Sequence, residues 1–333
     1  MPVGKLEPNL LSDLLKLRGQ LDERVVVGPR VGEDAAVIDF GDRYLVIKTD
    51  PITFATDEIG WYLVQVNAND VAVTGAVPRW LLVTLLLPEG KSTPGLAKRI
   101  FAQIDAACQD LGIAVVGGHT EITYGLERPI AVGHMLGEVA KNRLVTTSGA
   151  QVGDDLVLVK GIAIEGTSII AREKREELRE RGYSQEFLAR ARRYLRDPGI
   201  GVVREAGLAA QCVGVHAMHD PTEGGLATAL HELALAARVG VWVDQEAIPV
   251  WPECASLCAE FGLDPLGLIA SGALLVAVSH EQTSTLLAAY QEADVTCAVI
   301  GHVTVVGKGL KLSSKAGIAD LPRFDQDEII KLL

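Results

Sequence analysis

Apolar residues along this chain recur in two rhythms, and the way the rhythms alternate sets the expected fold class. In the first half, short β-type runs predict strands at about 34–39, 44–49, 79–87, 113–117 and 129–139, and longer helical patterns fall at about 58–75 and 94–111. Residues 79–87, RWLLVTLLL, lack clear alternation, which predicts a strand buried on both faces. Turn residues at Gln151-Val152-Gly153-Asp154-Asp155 open a second unit with a strand from Leu156 to Lys160. Beyond it the pattern predicts helices at about 199–211, 223–237, 252–261 and 281–291, strands at about 213–219, 239–244 and 272–279, and terminal strands near 296–306. This alternation predicts layered α/β (α+β) architecture in two domains, residues 1–150 and 151–333. The stretch 165–197 stands apart: nine Arg or Lys interleaved with Glu crowd Arg172 to Asp197, as expected of a pair of exposed helices.

Composition narrows the class. The chain has 333 residues, 48% of them hydrophobic, enough for two cores and incompatible with a disordered chain. No apolar run approaches the ~20 residues of a membrane-spanning helix. The formal net charge is −12 and both halves are acidic, which argues against nucleic acid and anionic membrane as partners. Five cysteines, an odd number, and an N-terminal MPVGKLEPNL without a basic-then-apolar signal predict a reducing, cytoplasmic setting.

The helix at 58–75 is the most informative segment for chemistry. Between Gly60 and Pro78 it has no Lys, Arg or Glu, so no solvated face is apparent and burial is expected. Asn67, Asp70 and Thr74 still form one polar stripe on it, at i, i+3 and i+7. A buried carboxylate needs a cation or several donors, so Asp70 either caps a neighbouring loop or serves a metal or nucleotide site. Asp50 and Asp220 each close an apolar strand with Pro next, and Asp34 enters another strand in Val31-Gly32-Glu33-Asp34-Ala35-Ala36-Val37. Singly each reads as a turn or cap residue. Together the four carboxylates, in unusually apolar contexts, suit Mg²⁺ bridged to phosphate.

Gly117-Gly118-His119-Thr120 follows the strand 113–117, and its glycines fit either a tight turn or a close approach of phosphate to the backbone. Asp220-Pro221-Thr222-Glu223-Gly224-Gly225 precedes a helical pattern, with Thr222 as expected N-cap and the helix start as an anion site. Gly90-Lys91-Ser92 and Gly161 to Ser168 both miss the Walker pattern, and neither a zinc-protease HExxH nor a Gly-x-Ser-x-Gly elbow is present. Cys254 and Cys258 lack a second ligand pair and are expected to pack in a core.

Taken in order, Gly32 to Val37, Thr49-Asp50, Asn69-Asp70-Val71-Ala72 with Gly75-Ala76-Val77-Pro78, Gly117 to Thr120 and His219 to Leu226 resemble the AIR synthase (PurM-like) ATP-binding superfamily. Within it the chain is most similar to the hydrogenase expression/formation protein HypE family, over about residues 30–280, and thiamine-monophosphate kinase and selenophosphate synthetase are further members it resembles. The resemblance implies an N-terminal domain whose mixed sheet pairs with its twofold mate into a dimeric, barrel-like core, a C-terminal α/β domain, and ATP held between domains and subunits. It further implies Mg²⁺ on the positions Asp34, Asp50, Asp70 and Asp220, with Asp70 and Asp220 also in catalytic positions. Asn67, Asn69, Gly117, Gly118, His119, Thr120, Thr222 and Gly224 fall at positions that would bind the nucleotide. The implied activity is ATP-dependent phosphoryl transfer to an acceptor oxygen, of phosphoryl-transfer or dehydration/ligase type.

The sequence also departs from that pattern. It finishes Asp327-Glu328-Ile329-Ile330-Lys331-Leu332-Leu333, with Cys297 its last cysteine, whereas HypE works on a C-terminal cysteine. Dehydration of a carbamoylated tail is therefore not expected unless a partner protein presents the thiol or carbamoyl group. Ala270-Ser271-Gly272 replaces a Glu-Gly pair, and His119 replaces an Asp of the kinase and selenium relatives. The alternative expectation is a nucleotide-binding partner or scaffold in metallocofactor assembly, without turnover of its own.

Overall fold

The computed structural model describes residues 6, 8–17, 19, 22–53 and 57–332. The chain divides into two compact units: Gln20–Gly28 with Asp34–Leu144, and Met1–Gly19 with Pro29–Glu33 and Val145–Leu333. They are called the N-terminal and C-terminal units below. A short helix, α1 (Pro8–Leu15), comes first and belongs to the C-terminal unit. Among the described residues, no helix is long and apolar enough to cross a membrane.

The N-terminal unit is built from β1 (Val25–Val27), β2 (Ala36–Asp39), β3 (Arg43–Ile52), α2 (Ile59–Ala72), β4 (Val77–Pro88), α3 (Pro94–Leu111), β5 (Ala114–Thr123) and β6 (Ile130–Ala140). Its strands form one mixed sheet in the order β1-β2-β3-β6-β4-β5, antiparallel except for the parallel β4–β5 pair. This sheet is open, so the barrel-like core is not a property of the single chain. Helix α3 shows the predicted bounds because local signals agree there. The Thr93 hydroxyl accepts the Leu96 N–H at 3.1 Å, Pro94 occupies the first turn, and Gly112 ends the helix in left-handed conformation.

Helix α2 is buried on every side, as its lack of charged residues requires: thirteen of its fourteen residues are buried. It lies on the sheet at closest contact. A Cβ on Gly133 of β6 would fall 2.5 Å from Asn67 Nδ2, and one on Gly137 would fall 2.4 Å from Val71 Cγ1. On its other side α2 meets α3, where a Cβ on Gly60 would fall 2.5 Å from the Ile100 carbonyl oxygen. The unit is therefore layered as sheet, α2, α3.

Two strand expectations need correction. Strand β4 is buried on the α2 side through Leu81, Val83 and Leu85, but Trp80, Leu82, Thr84 and Leu86 are only half-buried. The uniform apolar run reflects an apolar second face that no element of this unit covers fully. Strand β3 also does not stop at Asp50-Pro51: it pairs with β6 as far as Ile52–Ala131, while its other neighbour, β2, has already ended at Ala36–Ile47. The missing N–H of Pro51 thus falls where no ladder partner is needed.

The C-terminal unit contains β7 (Asp154–Val159), α4 (Ile164–Glu173), α5 (Arg175–Glu180), α6 (Gln185–Arg193), α7 (Val203–Ala209), β8 (Val215–His219), α8 (Gly225–Ala237), β9 (Gly240–Asp244), α9 (Pro252–Phe261), β10 (Leu274–Ser279), α10 (Thr283–Glu292), β11 (Cys297–Thr304), β12 (Leu310–Ser314) and β13 (Gly317–Asp320). Its sheet runs β13-β12-β9-β11-β7-β10-β8, with only β9–β12 parallel. One core joins this sheet to α8 through Leu226, Leu230 and Leu233, and a second joins α4, α6 and α9 around Ile170, Leu188 and Leu257. Cys254 and Cys258 are part of the second core. The charged stretch forms three helices rather than two exposed ones, and α4 is largely buried because its apolar Ile164, Ile170 and Ala171 face α6 and α9.

The close seat of α2 makes a direct prediction. Gly133→Ala and Gly137→Ala should each destabilise the protein by about 1–3 kcal/mol in urea unfolding, because the neighbouring side chains are buried and cannot withdraw. Gly95→Ala, whose Cβ meets nothing closer than 3.6 Å, should be nearly neutral.

Candidate functional site

Within the N-terminal unit, the sheet and α2 bring together Lys48, Asp50, Asn67 and Asp70. Lys48 and Asp50 are two apart on β3 and share the face toward α2. Lys48 Nζ lies 3.3 Å from Asp70 Oδ2 and 3.9 Å from Asp50 Oδ2. The Asn67 amide nitrogen donates to the Leu63 carbonyl at 2.9 Å and to the Asp50 carbonyl at 3.3 Å, tying helix to strand. Its Oδ1 is buried with no hydrogen-bond donor in reach, and no hydrogen bond reaches Asp70 Oδ2 either.

Burial pushes the Asp70 carboxyl up to about 7; the Lys48 ammonium opposes this, and the negative charges of Asp50 and Asp34 add to it. Asp34, at the entry to β2, is thus an electrostatic neighbour of Asp70. Asn69 is buried on another side of α2 from Asn67, two residues or about 200° away. Thr74 lies just beyond α2 and donates to the Val71 carbonyl at 2.7 Å, a local bond that takes it out of the polar stripe. Buried oxygens of Asp70 and Asn67 that make no hydrogen bond, beside a second carboxylate, fit a hard divalent cation such as Mg²⁺.

The Gly117–Thr120 segment is not a loop. It lies inside β5, an edge strand exposed along nearly its whole length. The pairing with β4 skips Val116, a bulge, and the glycines serve that bulge: Gly118 has φ +151°, and a Cβ there would fall 2.0 Å from the Val83 carbonyl oxygen. The alternate residues His119, Glu121 and Thr123 share one face, where Glu121 receives Thr123 Oγ1 at 2.9 Å and lies 3.0 Å from His119 Nε2.

In the C-terminal unit β8 ends at His219, as predicted, and delivers Asp220, which is buried. His219 Nε2 lies 3.0 Å from Glu232 Oε2 on α8. The start of α8 differs from expectation. Its N-cap is Gly224 in left-handed conformation rather than Thr222, and the Thr222 carbonyl accepts the N–H groups of Gly225 and Ala270. The Gly224 N–H, expected to meet an anion, already donates to Asp327 Oδ2 at 2.7 Å. The Asp327 carboxylate also accepts from Ile269 at 3.2 Å and Ile329 at 2.8 Å, so the C-terminal segment takes up the donors of this turn. Glu33 likewise has a structural role, accepting the N–H groups of Thr147 and Ser148.

Three residues near these sites were not singled out by sequence: Lys48, Asp327 and Glu165. Period-two spacing from Asp50 would have pointed to Lys48. Glu165 was visible as a lone acid in the apolar run Gly161-Ile162-Ala163-Ile164. No local signal marks Asp327. Burial pushes the Glu165 carboxyl up to about 7, opposed by the Ser271 hydroxyl and reinforced by the charges of Glu223 and Asp327. Its Oε2 is buried without a hydrogen bond.

A carboxyl raised in the folded state favours folding while it is protonated, so its contribution is full below about pH 4.5 and disappears as pH rises toward 7. Glu165→Gln should therefore flatten this part of the stability profile between pH 5 and 8, by on the order of 2–3 kcal/mol in urea unfolding. Parallel profiles for the two proteins would contradict a buried, titrating Glu165.

Sequence comparison supplies the family. Residues 32–139 match the model of the AIR synthase related protein N-terminal domain, and residues 151–311 match that of its C-terminal domain. A putative hydrogenase expression/formation protein of Methanocaldococcus jannaschii is 28% identical, with 97% of this chain and 95% of the relative covered. The carbamoyl dehydratase HypE of Cupriavidus necator is 32% identical over 78% of this chain and 73% of the relative. Among solved structures, the hydrogenase maturation protein HypE in complex with ATP superposes with a TM-score of 0.72 at 24% identity, covering 95% of this chain and 90% of that one. With both halves matched in order, the chain belongs to the AIR synthase-related protein family.

Proposed function

We propose that this protein is an ATP- and Mg²⁺-dependent enzyme that transfers a phosphoryl group to an oxygen of an amide-like or carbamoyl-like acceptor. The observation that carries the reading is the pair of buried oxygens without hydrogen bonds, Asp70 Oδ2 and Asn67 Oδ1, on a helix fixed against the sheet. ATP in a HypE structure of this fold and the carbamoyl dehydratase activity named for the Cupriavidus relative support the choice of nucleotide and acceptor class. Asp34, Asp50, Asp70 and Asp220 are the carboxylates assigned to the metal, with Asn67 and Asn69 assisting. A bound Mg²⁺ would neutralise charge on the phosphate oxygens.

The exposed edge of β5 at Gly117, Gly118, His119 and Thr120 offers backbone N–H groups to the nucleotide, and Thr222 serves it in the C-terminal unit. Gly224 is withdrawn from this role because its N–H is held by Asp327. Transfer breaks the bond between the β,γ-bridging oxygen and the γ-phosphorus and forms a bond from that phosphorus to the acceptor oxygen. ADP leaves, and the phosphorylated oxygen becomes a leaving group. A partner protein is the assigned source of an acceptor thiol or carbamoyl group. The half-exposed apolar face of β4 and β6, with the open edge of β5, suits a second copy of the chain as a homodimer.

Isothermal titration with ATP should show about one site per chain that requires Mg²⁺. Asp70→Asn should weaken the Mg²⁺-dependent affinity at least 100-fold while leaving circular dichroism and melting native-like. Wild-type affinity in that variant would remove Asp70 from the site.

A further inference from the structure

A cation of the chain itself already stands where the proposed metal would bind. Lys48 is on the same face of β3 as Asp50, and its ammonium lies 3.3 Å from Asp70 and 3.9 Å from Asp50. Its side chain is only 22% exposed, so it points into the packed side of the strand. An ion bound to Asp70 Oδ2 would sit about 2.1 Å from that oxygen. Ammonium and metal would then contend for one oxygen, with two positive centres in close proximity. The four-carbon stem of lysine allows the ammonium to move, and the compact charge suits phosphate oxygens as well as carboxylates.

We propose that Lys48 is a built-in counter-cation that holds Asp70 and Asp50 in the metal-free protein and turns to the nucleotide phosphates when a divalent ion takes the carboxylates. It follows that metal alone binds against a resident competitor, whereas nucleotide gives the displaced ammonium a new partner. Lys48 is then a nucleotide-binding residue as well as a modulator of metal affinity, and it couples the two ligands through one side chain. The proposal rests on the assignment of Asp50 and Asp70 to the metal.

The test uses the full chain and Mn²⁺ as a spectroscopic probe, with free Mn²⁺ followed by electron paramagnetic resonance. Lys48→Met should bind Mn²⁺ without nucleotide at least tenfold more tightly than wild type, and should bind ATP at saturating Mg²⁺ at least tenfold more weakly. Lys48→Arg, which keeps the charge, should stay near wild type in both. If Lys48→Met fails to give a native circular dichroism spectrum and melt, Lys48→Gln takes its place. Unchanged Mn²⁺ affinity, or unchanged ATP affinity at saturating Mg²⁺, overturns the assignment of Lys48. If wild-type protein binds Mg²⁺-ATP while the variant behaves as wild type, the Lys48 role alone falls. If wild-type protein shows no Mg²⁺-dependent ATP binding, the proposed function falls and the Lys48 role with it.

Discussion

Asp70 carries its carboxylate on a helix that has no solvated face, and that burial constrains everything around it. The helix can be buried only because β6 presents glycine at positions 133 and 137, where any side chain would strike Asn67 or Val71. Close contact in turn lets Asn67 bond the backbone of β3, fixes Asp70 over the strand that carries Lys48 and Asp50, and leaves Asp70 Oδ2 and Asn67 Oδ1 without a hydrogen bond. A buried charge of this kind is tolerated when a cation answers it. The Lys48 ammonium answers it only in part, because burial still pushes the Asp70 carboxyl up against it.

The C-terminal unit treats its own polar turn in a related way with the opposite charge. The N–H groups of Gly224 and Ile269 converge where an anion was expected, and the Asp327 carboxylate meets both. Nearby, Glu165 is buried and raised toward neutrality, with Glu223 and Asp327 as like-charged neighbours. In each unit, then, a side chain of the chain itself answers a buried polar group.

Much of this was legible in the sequence where one local cause dominates. Helices α3 and α9 have their predicted bounds because a Pro at the start and a Gly at the end act within a few residues. The burial of α2 followed from its lack of charge, and the common setting of Asp34, Asp50 and Asp70 followed from carboxylates in apolar runs. The misreadings share another cause. The Gly117-Gly118 pair fits a tight turn by sequence, yet it lies inside a strand and accommodates a bulge against Val83, and a bulge depends on the partner strand. The Asp50-Pro51 pair predicts a strand end, yet β3 continues because its neighbour on one side has already stopped.

The sequence by itself determined the alternation of strands and helices, the buried polar helix and the family, since periodicity, capping and ordered motifs all act over short stretches of chain. Only the tertiary structure decided which charges meet. Lys48 lies 22 positions from Asp70, and Asp327 lies 103 positions from Gly224, so neither pair leaves a local pattern. Their contacts exist because close packing over glycine in one unit, and a docked C-terminal segment in the other, bring distant backbone into register.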